Sequence, residues 1–344
     1  MLTEEEFQQS ADSIEKCQLK NGMILWFEGG HSDPWNHVEA AMALSIAGRT
    51  QSAERAYSWL ASNQLPDGSW WNYYVAEGIK DYRIDTNVCA YPAVGIWQHF
   101  AVVQDRAFLE SCFPMVEKAI NFVLGFASAG GEILWCKEPD GTVGKYALLT
   151  GSSSIALSIR AAIAIAREIG MEVPDWELAL SRLSETIQYR PESFEPKKEY
   201  AMDWYYPVLC GVLQGAGGKE HLDSSWDAFV FQDKGVRCVS NRPWVTAAET
   251  AECALALNAI GIDHKAIELL DATYAHRQDD GSYLTGIVYP EKSTFPYQER
   301  STYTAAAVML ADYALRSDSL AAGLFRGVGL PEIVKLSDPL SDPA

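Results

Sequence analysis

Apolar and polar positions along this chain follow two alternating patterns. Segments 3–18, 51–64, 106–126, 175–189, 219–231 and 263–278 carry apolar residues at helical spacing with charges between them. Each predicts a helix with one wet face and one buried face. After each comes a stretch with almost no charge, rich in alanine and other small residues: 34–48 (PWNHVEAAMALSIAG), 86–100 (TNVCAYPAVGIWQHF), 151–165, 204–215, 243–257 and 300–314. A helix that is apolar nearly all round is buried all round. Six such pairs, each about 45–60 residues long, make a repeat architecture. An inner ring of helices enclosed by an outer ring buries one whole set, so the expected fold is all-α, an (α/α)6 toroid. Residues 1–318 are read as this single barrel and 319–344 as an appended tail.

The connections are unequal. Turns from inner to outer helices are short, as at Gly48-Arg49-Thr50 and Ile260-Gly261-Ile262. Connections from outer to inner helices are long and aromatic, for example QLPDGSWWNYYVAEGIKDYRIDT and QDDGSYLTGIVYPEKSTFPYQERS. All the long loops therefore fall on one rim, at the N-termini of the inner helices. Loops longer than about 12–15 residues in a compact domain usually carry function.

The stretch Trp59-Leu60-x3-Gln64-x3-Gly68-x-Trp70 has weaker echoes at Gln18–Trp26 and Gln278–Tyr283. It resembles the QW motif of the squalene cyclases and their relatives, where glutamine ties a helix end and tryptophan stacks on it. The resemblance implies a staple between hairpins. The chain as a whole resembles actinobacterial proteins labelled prenyltransferase-like, through GGHSDPWNHVEAAMAL, DTNVCAY, MDWYYPVL and CVSNRPWVTAAE. What this implies is the toroid, which hosts cyclases, prenyltransferases, glycosidases, lyases and epimerases alike. The cyclases' DxDD acid is missing; Asp81-Tyr-Arg-Ile-Asp85 and Asp279-Asp280-Gly281 lack its spacing. No DDxxD occurs, and no Asp-x-Cys precedes Cys238.

Charge narrows the partners. A net charge of −19 and a pI near 4.7 oppose binding to nucleic acid or to an anionic membrane surface. No apolar run approaches the ~20 residues that span a bilayer, and the N-terminus is acidic without an apolar signal segment. Seven cysteines, an odd number with no CxxC pair, read as small core residues of a reduced, cytoplasmic protein. His31-x-Asp33-x3-His37 offers donors, but so short a cluster arises readily by chance, and neither a metal nor a cofactor is assigned. The expected partner is a small molecule or an oligosaccharide; the sequence carries no signal of oligomeric state.

At the starts of the inner helices stand carboxylates among aromatic rings, which suit a sugar: ring faces stack on its C–H groups and carboxylates bond its hydroxyls. Glycoside cleavage needs two carboxyls in opposite protonation states, roughly 6.5–9.5 Å apart when the configuration inverts. Leu134-Trp135-Cys-Lys-Glu138 and Glu299-Arg-Ser-Thr-Tyr303 are loosely similar to the acid and base segments of the six-hairpin glycosidases resembling glucoamylase. The sequence therefore reads as an inverting glycoside hydrolase. Glu299 is expected as base or water binder, with Asp85, Asp203 and Glu249 around the scissile bond. The acid is sought among Glu249, Glu39 and Glu138. Trp26, Trp35, Trp70, Trp204, Trp244 and Tyr205 are expected to form the stacking surface, with His31, Asp33, His37, Arg242 and Tyr303 beside them. Asp33, Asp85 and Asp203 also fit helix N-caps, where a lowered pKa suits a base. Glu39 and Glu249, read as more than a turn inside uncharged helices, each need a partner or a wet cavity. Two other readings stay open: a terpenoid cyclase or prenyltransferase-like enzyme acting on an isoprenoid, and a non-catalytic toroid that binds a sugar or metabolite.

Overall fold

The computed structural model describes residues 1–334. Helices alternate outward and inward as the pattern of charge requires. The outer set is α1 (Glu4–Glu15), α3 (Thr50–Asn63), α6 (Arg106–Leu124), α8 (Pro174–Tyr189), α10 (Gly215–Phe229) and α12 (Asp263–Ala272). The inner set is α2 (Pro34–Ile46), the broken pair α4 (Thr86–Ala90) and α5 (Pro92–Val103), α7 (Leu149–Glu168), α9 (Ala201–Leu209), α11 (Ala247–Ala259) and α13 (Thr302–Arg316). Each inner helix packs on the next, and α13 packs back on α2, so the ring closes as an (α/α)6 toroid. Alanines at the centre, such as Ala40, Ala41, Ala161, Ala254 and Ala306, let the inner helices approach closely and bury completely. Helix α7 is long and apolar enough to cross a membrane, yet nearly all of it is buried inside the barrel.

Local chemistry sets the helix starts. Thr3 and Glu6 form a capping box on α1, and Asp33 caps α2 ahead of Pro34. Staples join neighbouring hairpins. Gln64 donates to the carbonyls of Gly68 and of Met115 on α6, both at 2.9 Å, and Gln18 likewise bonds Gly22 and Ser52 on α3. Gly22 and Gly68 have positive φ, and a Cβ at either would run into the backbone carbonyl of Arg55 or Lys118. Trp70 is fully buried and donates to the Leu60 carbonyl at 2.9 Å.

The rim loops pair as short strands that the helical pattern does not announce. They are β1 (Tyr73–Val75), β2 (Gly78–Asp81), β3 (Ile84–Asp85), β4 (Cys136–Lys137), β5 (Val230–Phe231), β6 (Gly235–Arg237), β7 (Trp244–Thr246), β8 (Gly286–Val288) and β9 (Ser293–Thr294). β1 pairs with β2 and β3 with β4, while β5 to β9 form one antiparallel meander built from the fifth and sixth long loops. Two expected inner helices shift. The fifth begins at Ala247, since Trp244-Val245-Thr246 pairs with β8, and the fourth ends at Leu209, before the turn at Gly211.

The segment after α13 is no loose appendage. Leu324, Phe325 and Leu330 are buried in the main core. Arg326 bonds Asn258 and the Ala314 carbonyl, and Arg160 donates to the carbonyl of Pro331. Phe325 closes the barrel from below, under the inner helices. The rest of the expected tail, 335–344, lies outside the described residues. All seven cysteines are free thiols.

Candidate active site

A cleft of about 300 Å3 opens at the rim over the inner-helix N-termini, within the range of small-ligand pockets. Five carboxylates line it: Asp33 and Glu39 from α2, Asp85 at the head of α4, and Glu249 and Glu252 from α11. Trp26, Trp35, Tyr73, Trp244 and Tyr303 supply aromatic faces, and Asn36, Asn72 and Thr285 supply neutral polar groups.

The two aspartates near the mouth are held by N–H groups. Asp33 accepts from the Asn36 backbone at 3.0 Å, the Asn36 amide at 2.7 Å and the Trp26 indole at 2.6 Å. Asp85 accepts from the backbones of Asn87 and Val88 at 2.8 and 3.2 Å and from the Trp135 indole at 2.5 Å. Both are N-caps, but their pKa values are not lowered. Burial outweighs the donors, pushing Asp33 up and Asp85 up to about 6. Glu249 stands in the first turn of α11, not deep inside it. Burial and the neighbouring Glu249 push the Cys238 thiol above its usual range, and among the described residues no N–H group hydrogen-bonds to Glu249.

Deeper in the cleft, Glu39 and Glu252 form a pair. Tyr205 and Tyr206 donate their hydroxyls to the two oxygens of Glu252, the latter at 2.8 Å. The Trp35 indole donates to Glu39 at 3.0 Å, with the Tyr91 hydroxyl at 3.5 Å. Burial and the repulsion between the two carboxyls drive Glu39 well above the ordinary range, while burial takes Glu252 to about 7. Two carboxyls so placed share protons as one unit. Sequence reasoning missed Glu252, yet its signal was the one used for Glu39 and Glu249: an acid more than a turn inside an otherwise uncharged inner segment.

Several expected site residues do not line this cleft. Glu299 lies behind its wall, accepting from Thr285 at 3.0 Å, and lines a separate outer groove. Asp203 turns to the neighbouring helix and caps α7, accepting from the Thr150 backbone and hydroxyl at 3.2 and 2.5 Å. Glu138 sits in the tight turn after β4, where its N–H donates to Thr142. His31 backs the wall, packed on Trp26 and Tyr73 with centroids 4.3 and 4.7 Å away. Both ring nitrogens of buried His37 are engaged, by the Ile24 N–H and the Ala56 carbonyl, and burial lowers its pKa to about 4. Trp70 is a buried staple. Trp204 stacks on Phe229 between α9 and α10, Tyr205 is the buried donor to Glu252, and Arg242 is exposed on the turn before β7. Among the described residues no cluster of three or more histidine, cysteine or acidic side chains is placed to hold a metal ion.

Comparison with known proteins supplies the family and the fold. The MMP endo-(1,4)-3-O-methyl-alpha-D-mannosidase of Mycolicibacterium hassiacum is 46% identical over 332 residues, spanning 96% of this chain and 92% of that protein. The chain belongs to the family of that endo-mannosidase and is a glycoside hydrolase. Solved structures share the fold at low identity. A D-mannose isomerase matches with a TM-score of 0.69 at 11% identity, over 91% of this chain and 96% of its own. A glycosidase variant in complex with glucose matches with a TM-score of 0.68 at 13% identity, over 93% and 96%. No protein-family model matches the chain. The resemblance to the prenyltransferase-like group gains no support from these relatives, and the staples reflect a shared way of packing hairpins.

Proposed function

We propose that this member of the endo-mannosidase family cleaves an internal α-(1,4) bond in a 3-O-methylated mannose oligosaccharide, with inversion, using Glu249 as general acid and Asp33 as general base. The observation that carries this reading is their placement on either side of Tyr303. Helix α13 lies between α2 and α11 in the ring, and Tyr303, on α13, lines the cleft together with Glu249 and Asp33.

Glu249 gives its proton to the oxygen of the departing sugar as the bond from that oxygen to C1 breaks. Asp33 takes a proton from water while the water oxygen bonds C1 from the opposite face. The two carboxyls end with their protonation exchanged, and solvent at the mouth resets them. Burial makes Asp33 a better proton acceptor than an exposed aspartate, and its three N–H donors fix the carboxylate's aim. Trp26, Trp35 and Trp244 offer faces for the sugar rings.

Among the described residues no histidine lines the cleft, which disfavours an epimerase or isomerase using a histidine base. Five carboxylates around one small cleft equally disfavour an isoprenoid.

The test uses α-(1,4)-linked 3-O-methylmannose oligomers, with NMR reading the anomer first formed. Asp33→Asn and Glu249→Gln should each lower kcat by about 10²–10⁴-fold with unchanged circular dichroism. Glu249→Gln should recover on a nitrophenyl glycoside, whose leaving group needs no proton, whereas Asp33→Asn should not. Near-full activity in either variant, or retention of configuration, defeats the assignment.

A further inference from the structure

Beside the cleft, on the other face of its wall, runs a larger groove of about 720 Å3 between the end of α1 and the sixth long loop. The wall is one residue thick in places. Trp26 faces the cleft and Phe27 the groove, and Thr285 faces the cleft while its partner Glu299 faces the groove. An aromatic contact leads out of the cleft toward the groove. Trp244 lines the cleft, its indole donates to the Phe295 carbonyl at 3.0 Å, and the two rings meet edge to face at 5.1 Å. Two residues on, at the groove, Tyr297 is 87% exposed, and Phe295 itself is 54% exposed. Large aromatic rings left in water beside a binding cleft call for an explanation that core packing cannot give.

We infer that this groove is a distal subsite for the substrate chain, in which sugar units beyond the cleaved bond pass over the wall and stack on Tyr297. The inference rests on the proposed function, since it extends that cleft along a polymeric substrate. The remaining lining suits an uncharged polyhydroxyl ligand. Arg300 pairs with Asp280 at 3.3 Å and Lys16 with Glu28 at 4.0 Å, while Asp12 pairs with Arg49 outside the groove and Glu299 accepts from Thr285, so a ligand meets donors among a modest excess of acceptors. Glu299, expected from its sequence position to act on the scissile bond, instead accepts sugar hydroxyls here.

The experiment is a length series. Wild-type chain should show kcat/KM rising with oligomer length, and Tyr297→Ala should flatten that rise, losing about tenfold on the longest oligomers, chiefly through KM. Tyr297→Trp should restore it. Calorimetry separates binding from turnover: in the Glu249→Gln background, adding Tyr297→Ala should weaken binding of a long oligomer by about tenfold. If Tyr297→Ala leaves both the length dependence and long-oligomer binding unchanged, the subsite is refuted and the hydrolase assignment stands. If wild-type chain neither binds nor cleaves a mannose oligomer of any length, the proposed function falls and the subsite with it.

Discussion

On α2 and on α11 a carboxylate stands near the mouth of the cleft and a second stands deeper: Asp33 above Glu39, and Glu249 above Glu252. The mouth aspartates, Asp33 and Asp85, are held by backbone, amide and indole N–H groups. Phenol hydroxyls dominate around the deeper pair. The distinction is chemical. An N–H can only donate, so it is satisfied only by an acceptor oxygen. A hydroxyl can donate to a carboxylate or accept from a carboxyl, so the floor accommodates either protonation state, whereas the N–H groups on Asp33 and Asp85 favour the anion and offset part of the upward push of burial. Carboxyls lining one cleft thus meet different donors at different depths.

That contrast is open to attack. The largest effect expected is at the mouth, where Asp33→Asn sets an amide N–H2 against indole and backbone donors and costs the 10²–10⁴-fold in kcat given above. At the floor, Glu39→Gln mimics a protonated glutamate in shape and should keep kcat within about tenfold; a loss as deep as that of Asp33→Asn would erase the distinction between levels.

The floor should also show in stability against pH. Glu252 titrates near 7 when folded, above its usual 4.5, so the native state holds that proton more tightly. The stability this contributes is complete below about 4.5 and is lost as pH rises through about 7, at up to roughly 1.4 kcal/mol per pH unit. Denaturant melts between pH 4 and 8 should show that slope, and Glu252→Gln should flatten it. The smallest effect belongs to a carboxylate outside both levels: Asp203→Asn should cost about 1 kcal/mol as a weakened cap on α7 and leave kcat within about twofold.

The toroid was legible because its signal is local and repeated. A charge-free alanine stripe such as 34–48 cannot be anything but interior, and six of them, each preceded by an amphipathic partner, leave few architectures. The site was legible only at coarse grain. Asp33, Glu39, Asp85 and Glu249 could be placed at the rim from their positions at helix heads. Which way a rim side chain turns depends on contacts between distant loops. Asp203 faces Thr150 on the adjacent helix, and Glu299 turns outward through its bond to Thr285. Thr150 is 53 residues from Asp203, and Thr285 meets Glu299 only because the sixth long loop folds back on itself over 14 residues. The late start of α11 has the same origin: its first expected turn is claimed by a ladder with β8, some forty residues away, and the phase of every acid on that helix moves with it.

Among the described residues, Phe325 stops the barrel at the end opposite the rim. Beneath Glu39 and Glu252 it leaves a void of about 10 Å3, space for about one water and for no passage. Protons reaching the floor must then come through the same opening as the sugar. Under the proposed function, a saccharide in the cleft stands between the pair and bulk solvent on the route that the described residues leave open. Each turnover therefore inherits the protonation that the floor had at the moment of binding, and acidity of the medium acts on this pair between turnovers rather than during them.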